Sequence, residues 1–344
     1  MESLRPLHKA RFTDILDYGI FLYKKHFKKI FILNLILNVP FMLLIVIANP
    51  LFTDNYQNII DPQSAMEANP AAMISSMFSL YAVLFIYPAI NAIYALTLKN
   101  LLDGSIIKII YADAVLGESR TLKQVVKECM KQFGTLIVGS ILYMLIIGAV
   151  IIAGYIIVLA GAFIATFAIL GITSTSMVSP WITIILSIIG ILAAVSVMFF
   201  FALIICFFIG KYWMYLPAIC IEQKKAGTSM ERCNKIGKNS FYLIGLTYLF
   251  AYFIVFLLPG VINSVISFVN LATGDMDIAI MKMGVIITQL ISSILQPLVT
   301  CILTALYITL RVKREGLDME IDLWEIKKEK AAKERRWTAE VQNS

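Results

Sequence analysis

The chain has 344 residues, of which 60% are hydrophobic and 15% charged, with a formal net charge of +7. A soluble domain carries about a quarter charged residues, whereas the run from Thr135 to Gly210 here contains no Asp, Glu, Lys, Arg or His. This composition excludes a water-soluble globule and predicts an integral membrane protein. The basic residues flank the apolar runs, which argues against nucleic acid as a partner.

The chain opens on a basic segment holding Lys24, Lys25, Lys28 and Lys29, followed by an apolar run over 30–49. That run is long enough to span and lacks a small-x-small cleavage site, so it predicts an uncleaved first span. Asn34 and Asn38 lie four apart on one face of it. A second span is predicted over 76–98, with Asn91 and Pro88 inside it. The connection that follows carries Lys99, Lys108 and Arg120, then an amphipathic stretch with Lys123, Lys127 and Lys131 on one face and Leu122, Val125, Val126, Cys129 and Met130 on another. It runs into a third span over 135–160. Residues 135–170 alone would form a helix of about 54 Å against a hydrocarbon core of about 30 Å, so 161–180 is expected to be a helical extension and external loop. The fourth span is predicted over 182–210, the fifth over 241–269 and the sixth over 284–310, the last with Gln289 and Gln296 on one face. Between the fourth and fifth lies a second basic connection with Arg232, Lys235 and Lys238. A charged, helix-prone tail follows over 319–344.

Orientation follows from the lysines and arginines. Of the 29, all but Lys282 fall in the N-terminal segment, the two basic connections and the tail. The other loops carry Asp54, Asp61, Glu67, Asp275 and Asp277. Both termini are therefore expected on the cytoplasmic side of a bacterial plasma membrane.

One pattern recurs. LDYGIFLYKKHFKKIFI from Leu16, LKQVVKECMKQFGTLIV from Leu122 and MERCNKIGKNSFYLIGL from Met230 align without a gap, with Phe27, Phe133 and Phe241 coincident. Thr121-x-x-Gln124 and Thr228-x-x-Glu231 read as capping boxes, and Gly117, Gly227 and Gly316 mark the chain before or after each unit. The fold expected is all-α: a bundle of six transmembrane helices over 1–318, built as three repeats (about 12–118, 119–227 and 228–318) of a cytoplasmic interfacial helix and a transmembrane hairpin. The lysines of each interfacial helix, with Arg232, would meet anionic headgroups. Its apolar face would meet either acyl chains or protein.

Chemistry is sparse. The histidines are His8 and His26, and no G-x-S-x-G, H-E-x-x-H or P-loop is present. No cofactor or metal site is expected, and the five cysteines are expected to be free thiols. None of the expected spans has an ionisable residue in its middle. Asn34, Asn38, Asn91, Gln289 and Gln296 are candidate intramembrane polar contacts, as interhelical hydrogen bonds or as the walls of a polar path.

FTDILDYGIFLYKKHFKKIF (Phe12 to Phe31), LGESRTLKQVVKE (Leu116 to Glu128) and LRVKREGLDME (Leu310 to Glu320) resemble a family of bacterial multipass proteins related to the membrane domain of glycerophosphoryl diester phosphodiesterase. The resemblance implies the membrane module without the phosphodiesterase, whose metal-binding histidines and carboxylates are missing. The expected function is a non-enzymatic accessory or scaffold role in the bacterial envelope, with a membrane-protein partner. The alternative is a transporter or lipid-handling protein with a cavity between the hairpins.

Overall fold

A computed structural model describes residues 10–41, 87–173, 200–273 and 278–317, together with a few single positions. The described residues are helical throughout their regular structure. In chain order, α1 is Phe12–Leu37, α2 Tyr87–Tyr94, α3 Asn100–Ala114, α4 Leu122–Lys131 and α5 Phe133–Thr173. Then come α6 over 200–213, α7 Tyr215–Cys220, α8 Ala226–Ile236, α9 Phe241–Thr273 and α10 Ile278–Glu315. A π-helical turn, Ala95–Lys99, joins α2 to α3.

Four segments are long and apolar enough to cross a membrane: Phe133–Ile156, Phe200–Cys220, Phe241–Val269 and Ile286–Glu315. The chain is a multispan membrane protein. Three of them match the third, fifth and sixth expected spans, while Phe200–Cys220 overlaps the fourth expected span only over 200–210 and continues to Cys220. The outer half of the first span, much of the first half of the second, the acidic loops, 174–195 and the bulk of the 319–344 tail lie outside the described residues.

α10 is the central pillar. It packs along α9 and α1 and touches α3 and α8. Tyr307, Ile302, Leu306 and Ile308 on it are fully buried. α1 approaches closely because Gly19 has no side chain: a Cβ there would lie 2.6 Å from Ile302 Cα. Small residues at such crossings let helices pack by dispersion where lipid supplies no hydrophobic driving force.

The elbows differ from one another. α4 ends at Gln132 before α5 begins, and α8 ends at Gly237 before α9. α1 runs unbroken through the equivalent position. The Thr121 box forms, with the Thr121 amide donating to Gln124 Oε1 at 3.2 Å. The Thr228 box does not: α8 starts two residues earlier, at Ala226, and the Thr228 hydroxyl donates to Lys225 O at 2.9 Å. The turns that reverse the chain show a matching substitution. Gly117 and Gly316 adopt left-handed φ values of 66° and 64°, but the third such residue is Gln223 at 53°, while Gly227 sits inside α8. Both Glu118 and Lys224 then donate back to the carbonyl six residues earlier, closing the end of the preceding helix.

The apolar faces of these short helices meet protein. Val125 and Cys129 of α4 are buried, and α4 packs on α3; Met230, Cys233 and Ile236 of α8 are buried likewise. α5 is continuous over 41 residues, so 161–173 is helix and not loop.

Candidate functional site

α3 lies in the connection expected between the second and third spans, yet it is buried within the protein. Its sequence, NLLDGSIIKIIYADA, is buried on every side, including Asn100, Asp103, Ser105 and Lys108. Asp103 and Lys108 had been expected in an aqueous connection. They instead extend the second apolar stretch as helix, because leucine and isoleucine fill the positions between them. An uncompensated buried carboxylate is costly. Asp103 Oδ1 accepts a 2.7 Å hydrogen bond from Thr300 Oγ1 of α10.

Asp103 lines a cavity of about 130 Å³ between α3, α5, α7, α9 and α10. Its polar wall holds Lys99, Asn100, Asp103, Ser140, Gln296 and Thr300, and its aromatic wall Tyr143, Trp213, Tyr215 and Tyr252. Three of these form a buried ring. Asn100 Nδ2 donates to Ser140 Oγ at 2.5 Å, Ser140 Oγ and Tyr215 Oη share a hydrogen bond of 2.5 Å, and Tyr215 Oη donates to Asn100 Oδ1 at 3.4 Å. The neighbouring π turn widens the helix just where Lys99 and Asn100 enter the wall, a distortion common beside functional sites. Met144, which also lines the cavity, is 42% exposed. Ser140 lies seven residues into the apolar segment Phe133–Ile156, about 10 Å along the helix from its start. A hollow of about 640 Å³ along Phe256 to Phe268 is larger, but its walls belong to α9 alone. It is an open apolar face.

Asn34 and Asn38 are buried together. Asn34 Nδ2 donates to Ser293 O at 2.9 Å, and Asn38 Nδ2 donates to Ser293 Oγ at 2.8 Å and to Asn34 Oδ1 at 3.1 Å. Tyr94 Oη donates to Asn38 Oδ1. Their spacing thus fastens α1 to α10 and α2. Gln296 joins the cavity wall, while Asn91 and Gln289 are half-buried away from it.

The basic residues divide into two groups. Lys24, Lys28, Lys123, Lys127, Lys131, Lys235 and Lys238 are exposed, as a headgroup-facing row requires; Lys235 also pairs with Glu231 at 2.8 Å. Lys25 pairs with Asp113 at 2.6 Å, and Lys29 donates to Ser119 Oγ at 2.9 Å and Arg120 O at 3.2 Å. His26 is not solvated: its ring is 10% exposed and stands 3.1 Å from Asp113. Burial raises the Asp113 carboxyl, but the hydrogen bonds from Lys25 and His26 outweigh it and hold the group below its usual range.

Arg232 departs furthest from a lipid-facing role. It turns inward and grips Glu222 through Nε at 2.9 Å and Nη2 at 3.1 Å, and also contacts Glu315. Tyr307 Oη donates to the same Glu222 at 2.5 Å. Arg311 bonds Glu315 at 3.1 Å and Tyr111 Oη at 3.2 Å. This network ties the α7–α8 turn, α8 and α3 to the end of α10. Burial raises the Glu222 carboxyl, yet its hydrogen bonds to Tyr307, Arg232 and Lys224 bring it below the ordinary value.

All five cysteines are free thiols. Among the described residues, no group of three His, Cys, Asp or Glu side chains is placed to hold a metal ion. Compared with known proteins, the chain matches no family model, no curated protein and no solved structure. The cavity is therefore read from its own geometry.

Proposed function

We propose that the chain is a non-enzymatic, lipid- or solute-handling protein of a bacterial plasma membrane, which holds a small polar molecule in the cavity around Asp103. The observation that carries this reading is the cavity itself. Asn100, Asp103, Ser140 and Thr300 are buried and bonded to one another or to Tyr215, and they stand around a hollow that apolar packing would have filled. Transport and lipid-binding sites in membrane proteins sit at such depths, walled by a few polar groups among aromatic ones.

The exposed lysines of α1, α4 and α8 fit contact with anionic headgroups, each contributing about 1 kcal/mol beside an acidic leaflet. Their distribution supports six spans with both termini cytoplasmic. The resemblance of residues 12–31, 116–128 and 310–320 to the membrane domain of glycerophosphoryl diester phosphodiesterase supports a bacterial origin, and the internal alignment at Leu16, Leu122 and Met230 supports three hairpin units.

Purification in native lipid followed by native mass spectrometry tests the reading. A stoichiometric small molecule or lipid should accompany the wild type and be lost from Met144→Trp, which adds bulk to the cavity lining. An empty cavity together with a stoichiometric protein partner would return the chain to an accessory or scaffold role. Orientation is tested by impermeant thiol labelling of Lys127→Cys in a cysteine-free background. Label should enter only opened cells; labelling of intact cells would reverse the topology. The native thiols are unsuited to this, since Cys129 and Cys233 are buried and burial pushes the Cys233 thiol up to about 12.

A further inference from the structure

Two ionisable side chains of opposite type stand at the cavity wall. Lys99 and Asp103 both line it, four residues apart, yet no ion pair within 4.0 Å joins them among the described residues. The order also disfavours a direct pair: a cation placed N-terminal to its anion at this spacing is the weaker arrangement on a helix. Asp103 spends one oxygen on Thr300 Oγ1. The cavity lining also includes Tyr143, Trp213, Tyr215 and Tyr252. Aromatic faces and a carboxylate favour an ammonium group. A lysine ammonium favours a carboxylate or phosphate.

We infer that the cavity selects a small zwitterion, with its ammonium against Asp103 and the aromatic wall and its anionic group against Lys99. This rests on the cavity being a binding site, as proposed above. A ligand bearing a single charge would leave either Lys99 or Asp103 uncompensated in a site of low dielectric. A zwitterion satisfies both. The cavity volume of about 130 Å³ suits a small ligand with a short spacer between its charges. Two sources supply that chemistry: a free amino-acid-like solute, and the ethanolamine phosphate headgroup of a zwitterionic lipid.

The test uses the full chain in nanodiscs and four matched probes: β-alanine (zwitterion), β-alaninamide (cation), propionate (anion) and propionamide (neutral). In discs of phosphatidylglycerol alone, calorimetry should show β-alanine binding at least about tenfold more tightly than the other three. Asp103→Asn should reduce β-alanine to the affinity of propionate. Lys99→Met should reduce it to that of β-alaninamide. Asparagine keeps the size of Asp103 and can still accept from Thr300, and Lys99 is half-buried, so both variants should fold. In a second arm, discs containing phosphatidylethanolamine are examined by native mass spectrometry. Retention of that lipid by the wild type but not by the two variants identifies the headgroup as the source and supports the inference even if β-alanine does not bind. If a singly charged or neutral probe binds as tightly as β-alanine, the zwitterion inference is overturned while the cavity stands as a binding site. Binding of nothing in both arms, with an empty cavity in native lipid, overturns both.

Discussion

The four described spans fall into a revealing order. Phe133–Ile156 is the most apolar and the least buried, with 17% of its residues inside the protein; Phe200–Cys220 is the least apolar and the most buried, at 56%. The remaining two lie between in the same sequence. In water the relation would run the other way. Here lipid takes the place of a core for α5 and for the outer face of α9, where Phe253, Phe256 and Phe268 are exposed. Protein packing is reserved for segments that bring polar groups, such as α3 and α10. Hydropathy thus measures contact with lipid, and the least hydrophobic helices form the interior.

That contrast can be broken from the polar side. Glu222→Gln removes the charge that Arg232 grips through two nitrogens, and it leaves two guanidinium groups short of a partner. A loss of about 3 kcal/mol is expected, read as a lowered unfolding midpoint in mild detergent. A lipid-facing counterpart, Phe256→Ala, should shift the same midpoint by less than about 0.5 kcal/mol. Equal effects would abolish the distinction between the two regions. Gly19→Val tests the packing between them. Its Cβ would overlap Ile302, and about 2 kcal/mol should be lost. A neutral result would mean that α1 and α10 slide freely.

Acid should act on the polar region alone. Asp113 and Glu222 are held below their ordinary values of 3.8 and 4.5. Their contribution is therefore complete above those values and is lost as pH falls through the lower folded ones. The midpoint should drop over that window, and Glu222→Gln should flatten the drop. A pH titration of the two proteins in one detergent checks this. A small effect of opposite sign is expected at Gln223. Relief of its left-handed backbone by Gln223→Gly should raise stability by about 0.5 kcal/mol, the strain removed exceeding the chain entropy added. A fall in the midpoint would show that the glutamine side chain contributes more than its backbone costs.

Much of this was legible in the sequence. Uncharged runs located α5, α9 and α10, and the lysine stripe with Thr121 and Gln124 located the bend before Phe133. The spacing of Asn34 and Asn38 placed them on one face, ready for Ser293. Asp103 was not legible. Counting charges along NLLDGSIIKII assigns it to an aqueous loop, because the count registers Lys99, Asp103 and Lys108 and ignores what surrounds them. The partner that stabilises its burial, Thr300, lies 197 residues away. Arg232 misled for the same reason: among lysines it reads as another surface cation, and only the folded chain brings Glu222 and Glu315 to it. The unbroken α1 was hidden by a basic pattern that suits a bend and a straight helix equally.

The central place of α10 has a consequence for the order of assembly. It is the last of the described spans to leave the ribosome, yet it supplies Ser293 to Asn34 and Asn38, Thr300 to Asp103, and Tyr307 to Glu222. Until it inserts, each earlier helix waits in the bilayer with its polar groups unanswered. The nascent protein therefore passes through a stage in which its own interior is missing, and a chain stopped before residue 286 would be stranded there, a ready substrate for membrane quality control.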